Sequence, residues 1–427
     1  MYEIFSFVTM KVRLRTKLGV GQMEQSKRPS ERFDWSLALL LLLFSLVSCV
    51  AIYSAQTTGQ YDNNYFLRQI FWYVVGCVII AVVMFFDSEQ YRRLSWILYG
   101  LGILLLIAVV VAPESIAPER NGAKSWFVLP GLGNIQPSEF VKTFLILALS
   151  NLIATHHEQF ILKTWKTDFY LLIKLSFTAA LPLGLILLQP DLGTALVILS
   201  ILTGMILVSG IAWKIIIPLY GSLAALGGFA LYLVIWAPAV LEKLHFKTYQ
   251  FNRIYSWLDP NNHQSGSGYH LYKSLRAIGS GLLTGKGFGE RKVYIPESHT
   301  DFIFSVIGEE YGFIGGSIVI SLYFLLIFHL IKTALDTNEP FNTYICVGII
   351  SMITFHVFQN VGMTIQVLPI TGIPLPFISY GGSSLMGNML AMGLVFGIHY
   401  HHKTYMFSSQ SYQPYKKGKV IRKTSRS

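Results

Sequence analysis

Apolar residues in this chain come in ten blocks close to 20 long, and that block length decides the fold class before any motif is read. A helix of about 20 residues, rising about 1.5 Å per residue, crosses the roughly 30 Å hydrocarbon core of a bilayer. Lipid offers no partner for backbone N–H and C=O groups, so each block must pair its own as a helix. The blocks lie near 35–54, 66–86, 94–112, 137–154, 169–188, 191–210, 214–240, 300–331, 341–365 and 375–400. The expected architecture is an all-α polytopic membrane protein of about ten transmembrane helices, with one large extracytoplasmic loop, 241–299, between helices 7 and 8. A basic cytoplasmic tail at 1–34 and another at 401–427 flank the single membrane domain, 35–400.

An even number of spans puts both termini on one side, and Lys and Arg choose the side. With the termini inside, the inner segments hold 20 of these residues and the outer ones 10, eight of those in the long loop, where the positive-inside rule carries little weight. Both ends are therefore expected in the cytoplasm. The net charge of +11 is concentrated in tails beside membrane helices, so anionic membrane lipids, and no nucleic acid, are the expected partners. Cys49, Cys77 and Cys346 fall inside predicted spans without metal-ligand spacing, and no disulfide or metal site is read from them. Residues 1–34 lack the apolar core of a signal peptide, and Met23 is an alternative start to Met1.

Asp301, in His299-Thr300-Asp301-Phe302, stands where the long loop re-enters the membrane. An acid at that depth costs roughly 2.5–3.5 kcal/mol unless it is paired, hydrated or used, which makes it a candidate functional residue. Ser298 or Thr300 is expected to cap the following helix, leaving Asp301 ionised in or beside its first turn. Such a carboxylate can take a proton from a hydroxyl or hold a divalent cation, and the residues alone do not choose. Pro137 suits the first turn of the fourth helix, which sets Glu139 and Lys142 three apart, facing each other or a cavity. Glu309 and Glu310 lie deeper in the eighth helix, where a structural pairing is expected for at least one. His356 and Asn360 share a face of the ninth helix, and the series Pro369, Pro374, Pro376, Gly381 and Gly382 predicts a bent, helix-breaking segment. The run Gly285-Lys286-Gly287-Phe288-Gly289 lacks the spacing of a phosphate loop and reads as a mobile hinge. Trp126 reads as an interface anchor, and Lys174 as a snorkelling side chain without chemistry.

At these residues the chain resembles the SEDS family of bacterial peptidoglycan polymerases, which includes RodA and FtsW. The motifs are GAKSW (122–126), QPSEFVK (136–142), QPDLGTA (189–195), PESHTDFIFSVIGEEYG (296–312), QNVGM (359–363) and PITGIPLPFISYGGSS (369–384). The resemblance implies a glycosyltransferase that joins lipid II units into glycan strands outside the cytoplasmic membrane. It implies that Asp301 is the family's essential, catalytic Asp and that Trp126, Glu139 and Lys142 belong to its substrate cavity. Gln366 stands where many relatives have Gly. The pattern Gly372-Ile373-Pro374-Leu375-Pro376 is closer to the elongation type, RodA, than to the division type, FtsW. A partner is implied too, a class B penicillin-binding protein whose transpeptidase cross-links the strands, together with the elongation machinery.

The mechanism this suggests is an inverting transfer in which a sugar hydroxyl of one lipid-linked disaccharide attacks the anomeric carbon of another. Asp301 would serve as base or orient the hydroxyl through a divalent cation, Mg²⁺ or Mn²⁺. Lys142, Arg253 in the long loop, or that cation would stabilise the departing pyrophosphate. Two rivals stand beside this reading: a lipid II flippase, since intramembrane acids and broken helices also build transporters, and a non-catalytic scaffold of the elongation machinery.

Overall fold

The computed structural model describes residues 32–57, 64–119, 123–129, 133–236, 254–263 and 268–405. Its helices are α1 (Trp35–Thr57), α2 (Tyr65–Met84), α3 (Ser88–Val111), α4 (Pro137–Gln159), α5 (Trp165–Leu187), α6 (Leu192–Val208), α7 (Trp213–Trp236), α8 (Tyr269–Gly281), α9 (Ile303–Asp336), α10 (Pro340–Thr364) and α11 (Gly382–Tyr405). A short hairpin, β1 (Phe127–Leu129) against β2 (Gly133–Ile135), precedes α4. A helix stands at each predicted apolar block, and eight of them are long and apolar enough to cross a membrane; α6, with 17 residues, is a shorter apolar helix.

Local chemistry sets several boundaries that block length alone misses. The third block was expected from 94, yet α3 begins at Ser88, because Asp87 and Gln90 form a reciprocal capping box. Thr164 and Thr167 start α5 in the same way. Gly210 at φ +80 closes the end of α6, a left-handed conformation that favours glycine. The block expected at 375–400 begins as a helix only at Gly382, since Pro374 and Pro376 interrupt it and the chain turns at 376–378, where Ile378 and Ser379 N–H donate to Leu375 O.

The bundle is built around α4, which packs against α3, α5, α6, α10 and α11. Most of α4 is buried, whereas α7 buries only Ile216 and Val234. Leu104, Phe177 and Phe324 are exposed apolar side chains of helices that also bury Ser95, Thr178 and Glu310. Apolar residues outside and polar groups within is the arrangement a lipid solvent selects.

The predicted long loop is not a mobile hinge where its glycines lie. Helix α9 breaks at Gly312, φ 61 and ψ −155, and the freed backbone groups are taken up by residues 282–287. Phe313 and Ile314 N–H donate to Leu282 and Leu283 carbonyls at 2.9 and 3.1 Å, and Lys286 and Gly287 N–H donate to Glu309 and Glu310 carbonyls at 3.1 and 3.0 Å. A Cβ at Gly285 would lie 2.0 Å from the Glu310 carbonyl oxygen, so glycine is required by close approach rather than by mobility. The serine- and glycine-rich run at 264–267 lies outside the described residues.

Candidate active site

Neither Ser298 nor Thr300 caps α9, whose N-cap is Phe302 without a side-chain hydrogen bond. Residues 297–302 instead wind into a turn in which the Glu297 carbonyl accepts from Thr300 and Phe302 N–H, at 3.2 and 3.3 Å. Asp301 emerges from this turn just before the helix and keeps partial contact with solvent. The segment 371–381 braces it. Asn360 donates to the carbonyls of Asp301 and Ile373, both at 2.8 Å, while Ser379 Oγ donates to Thr300 O at 2.7 Å and Tyr380 N–H to His299 O at 2.9 Å. Gly372, at φ +72, passes so close that a Cβ there would meet Asp301 Oδ2 at 3.4 Å. The proline–glycine series thus supplies a backbone wall against which the carboxylate rests.

No basic side chain pairs with Asp301 among the described residues. Burial, then the negative charges of Glu297 and Asp191, push its pKa up to about 7, so it is not the fully ionised group the sequence suggested. His299 beside it is itself held below the ordinary histidine range by burial and offers no compensating cation. Asp191 caps α6 by accepting from Thr194 N–H at 3.0 Å, and its other oxygen accepts from Thr194 Oγ1 at 2.7 Å and Gln136 Nε2 at 2.9 Å. The turn after α5, the start of α4 and the start of α9 therefore converge on one end of the bundle.

Glu139 and Lys142 face each other rather than open space. Their ion pair spans 2.8 Å with both residues almost fully buried, and Lys142 Nζ also reaches His356 Nε2 at 3.1 Å. His356 Nδ1 lies 3.4 Å from Pro374 O, which places the imidazole proton on Nδ1 and leaves Nε2 to accept from the ammonium. This chain of contacts ties α4 through α10 to the same 373–374 backbone that Asn360 fastens to Asp301. Trp126 is half-buried and leads into β1, next to Lys124, whose ammonium accommodates the last carbonyls of α3 at Val110 and Ala112. Arg253 lies outside the described residues.

Glu309 and Glu310 are both structural. Glu309 Oε1 accepts from Lys286 Nζ at 2.5 Å and from Lys292 and Val293 N–H at 2.9 and 3.2 Å; Glu310 pairs with Arg291 at 3.4 Å and with Ser54. Sequence reasoning left Asp191 and Glu297 without a role, although both sit in polar turns at the same end as Asp301. Gln366, at φ +64, occupies a left-handed conformation that favours glycine, and it is held by exchange with Trp257: Trp257 Nε1 donates to Gln366 O and Gln366 Nε2 to Trp257 O, each at 2.9 Å.

The family described as Cell cycle protein, comprising FtsW, RodA and SpoVE, matches residues 31–404. Stage V sporulation protein E of Bacillus subtilis is 34% identical over 86% of this chain and 96% of its own length. The peptidoglycan glycosyltransferase RodA of Treponema pallidum is 31% identical over 86% of this chain and 97% of its own. Among solved structures, a peptidoglycan synthase complex that coordinates polymerization and crosslinking superposes with a TM-score of 0.70 at 29% identity, covering 86% of this chain and 97% of that one. The rod shape determining protein RodA of Thermus thermophilus gives 0.62 at 30% identity, covering 87% and 97%. With the family match running from the first helix to the last, the chain belongs to the SEDS family of FtsW, RodA and SpoVE proteins.

Proposed function

We propose that this chain polymerises lipid II into peptidoglycan glycan strands at the outer face of the bacterial cytoplasmic membrane, in the service of cell elongation. Its class, a peptidoglycan glycosyltransferase, follows from relatives that carry that activity in their names. One observation carries the chemical reading: Asp301 is a carboxylate with no basic partner among the described residues, at the start of a membrane-spanning helix, its pKa raised to about 7. A general base works best with a pKa near the operating pH. Asp301 therefore takes the proton of the attacking sugar hydroxyl as its oxygen bonds to the anomeric carbon of the second disaccharide, and the bond to the lipid pyrophosphate breaks. Both substrates keep their polyprenyl tails in the bilayer, which suits a site on the lipid-facing rim.

Lys142 is engaged by Glu139 and His356, so we assign it, with Glu139, to positioning the 373–374 segment behind Asp301 rather than to contact with pyrophosphate. That contact falls to Arg253 and Trp126 on the loop side, together with Mg²⁺ or Mn²⁺. Among the described residues no group of three His, Cys, Asp or Glu side chains could hold a metal ion, and Asp191 is already occupied as a cap. An ion that arrives on the substrate phosphates would need few protein ligands, and Asp301 would serve as one only as an alternative to its role as base. Such an ion would supply charge neutralisation for the leaving pyrophosphate.

Elongation rests on the Gly372–Pro376 pattern, and the orientation on the Lys and Arg distribution, which puts both termini in the cytoplasm. A class B penicillin-binding protein as partner is supported by the structural neighbour that joins polymerization to crosslinking. The test is polymerisation of labelled lipid II by the purified chain with that partner and a divalent ion. Glycan product that disappears with Asp301→Ala is the expected result; unchanged product overturns the role of Asp301, and lipid scrambling in liposomes without polymer overturns the enzymatic reading.

A further inference from the structure

The end of the bundle opposite Asp301 holds a cavity that polymerisation does not use. Helix α4 starts beside the Asp191 turn, and His156 lies nineteen residues beyond Pro137, about 28 Å along the axis. There α3, α4 and α5 part around a cavity of about 350 Å³ lined in part by Trp96, Asn151, Thr155, His156, Lys174 and Phe177.

Two of its polar walls are already satisfied. Arg92 reaches Asn151 Oδ1 at 3.2 Å and Thr155 Oγ1 at 3.0 Å, and its remaining bonds go to Glu158. The other two are not. His156 is 2% exposed, and its Nδ1 has no hydrogen-bond partner among the described residues. Its ring is held in place by Phe160, 4.7 Å away between centroids. Lys174 Nζ lies 4.2 Å above the Tyr170 ring, and no ion pair among the described residues includes it. Lys174 is nine residues into α5, and helical side chains lean toward the N-terminus, so its ammonium points back to the nearer membrane surface. A cation and a buried imidazole therefore share one cavity with no carboxylate in its lining; Asp168, whose charge reaches His156, already accepts from Ala212 N–H at 2.9 Å.

The mouth identifies the occupant. Trp96 and Phe177, 47% and 79% exposed, are apolar rings on the lipid-facing side of α3 and α5, so the cavity opens sideways into the bilayer. We propose that it binds the headgroup of an anionic phospholipid. The phosphate oxygens accept from Lys174 Nζ and His156 Nδ1–H, and the acyl chains leave along Trp96 and Phe177. A zwitterionic lipid would bring a second cation to a cavity whose lining offers no acid for it, which gives the site a charge preference. The volume accommodates a phosphate and its glycerol, not a whole lipid.

The test uses the full chain in phosphatidylcholine nanodiscs with increasing brominated phosphatidylglycerol, reading the quenching assigned to Trp96 by subtraction of the Trp96→Phe protein. One basic group near the surface favours an anionic lipid by about 1 kcal/mol, so half-quenching should come at an about fivefold lower mole fraction than with brominated phosphatidylcholine. Lys174→Ala should erase that preference and Lys174→Arg should keep it, which separates lost binding from lost folding. His156→Phe, which keeps an aromatic ring in the space, should weaken the preference by about half. Equal quenching by both lipids in the unaltered chain overturns the proposal. So does displacement by millimolar inorganic phosphate, which would mark a site for the free anion, or by an equimolar polyprenyl phosphate, which would mark a different lipid.

Discussion

Glu309 and Glu310 lie only eight and nine residues beyond Asp301, yet the two places treat an acid in opposite ways. Around the glutamates the chain assembles Lys286, Arg291, Ser54 and two backbone N–H groups, and the pairings fasten 285–293 to the broken start of α9. Around Asp301 it assembles backbone carbonyls, Gly372 and two further acids, and among the described residues no cation. An acid that is paired at once can hold a fold but is spent. An acid left unpaired costs stability and keeps its lone pairs for a substrate.

The largest effect that would break this contrast is on rate. Asp301→Asn preserves shape and removes the base, so glycan polymerisation should fall about a thousandfold, the middle of the range for a positioned base. The melting temperature of the same protein should not fall, because the neutral amide no longer carries an uncompensated charge. A melting point that drops with activity would place Asp301 among the structural acids.

Second comes the buried pair. Lys142→Met strands Glu139 at 4% exposure, and removal of one member of such a pair costs about 3–5 kcal/mol. Lys142→Met with Glu139→Gln should recover part of the loss in thermal unfolding, since no orphaned charge is left. Activity that recovers with stability supports a positioning role; activity that stays absent in a refolded double variant would return Lys142 to the substrate.

Third, Gly312→Ala attacks the paired region through its backbone. The new Cβ would fall 2.6 Å from Leu283 O in a conformation that L-residues rarely adopt, a strain of about 1–3 kcal/mol. Proteolysis within 282–293 should rise, with polymerisation reduced less than by Asp301→Asn.

What could be read from the sequence follows the range of the physics involved. Block length is local, so the helices at 35–57 or 340–364 were legible within a few residues, and so was an acid stranded at a membrane re-entry. The Asp87–Gln90 capping box was present in the sequence as a short-range signal, but block length masked it. The kink at Gly312 was not legible, because it exists only when residues 282–287 arrive to take up the freed carbonyls and amides. Nor was the burial of Lys142, which depends on His356 from a helix more than 200 positions away. Asp191 and Glu297 were visible as polar turn residues, yet their effect on Asp301 is a matter of three turns meeting in space.

The smallest expected effect is the most discriminating, because it separates the acids around Asp301 from one another. If Asp301 must be deprotonated to accept a proton, the rate rises with pH through about 7. Glu297 is the stronger of the two charged influences and Asp191 the weaker, so Glu297→Gln should move that limb to lower pH by more than Asp191→Asn. Asn at 191 can still accept from Thr194 N–H and keep the α6 cap, while its new amide N–H₂ requires the Gln136 amide to turn and present its oxygen. Stability runs the other way. Because the folded pKa is raised above the unfolded value, the folded chain holds a proton that the unfolded chain has released between about pH 4 and 7. The stabilisation is full below that window and is lost as pH rises through it. Asp301→Asn should abolish this slope in a pH series of unfolding measurements, whereas Glu309→Gln should leave it in place. A slope that survives Asp301→Asn would mean that some other acid titrates there, and the pairing contrast between the two ends of the 301–310 segment would no longer hold.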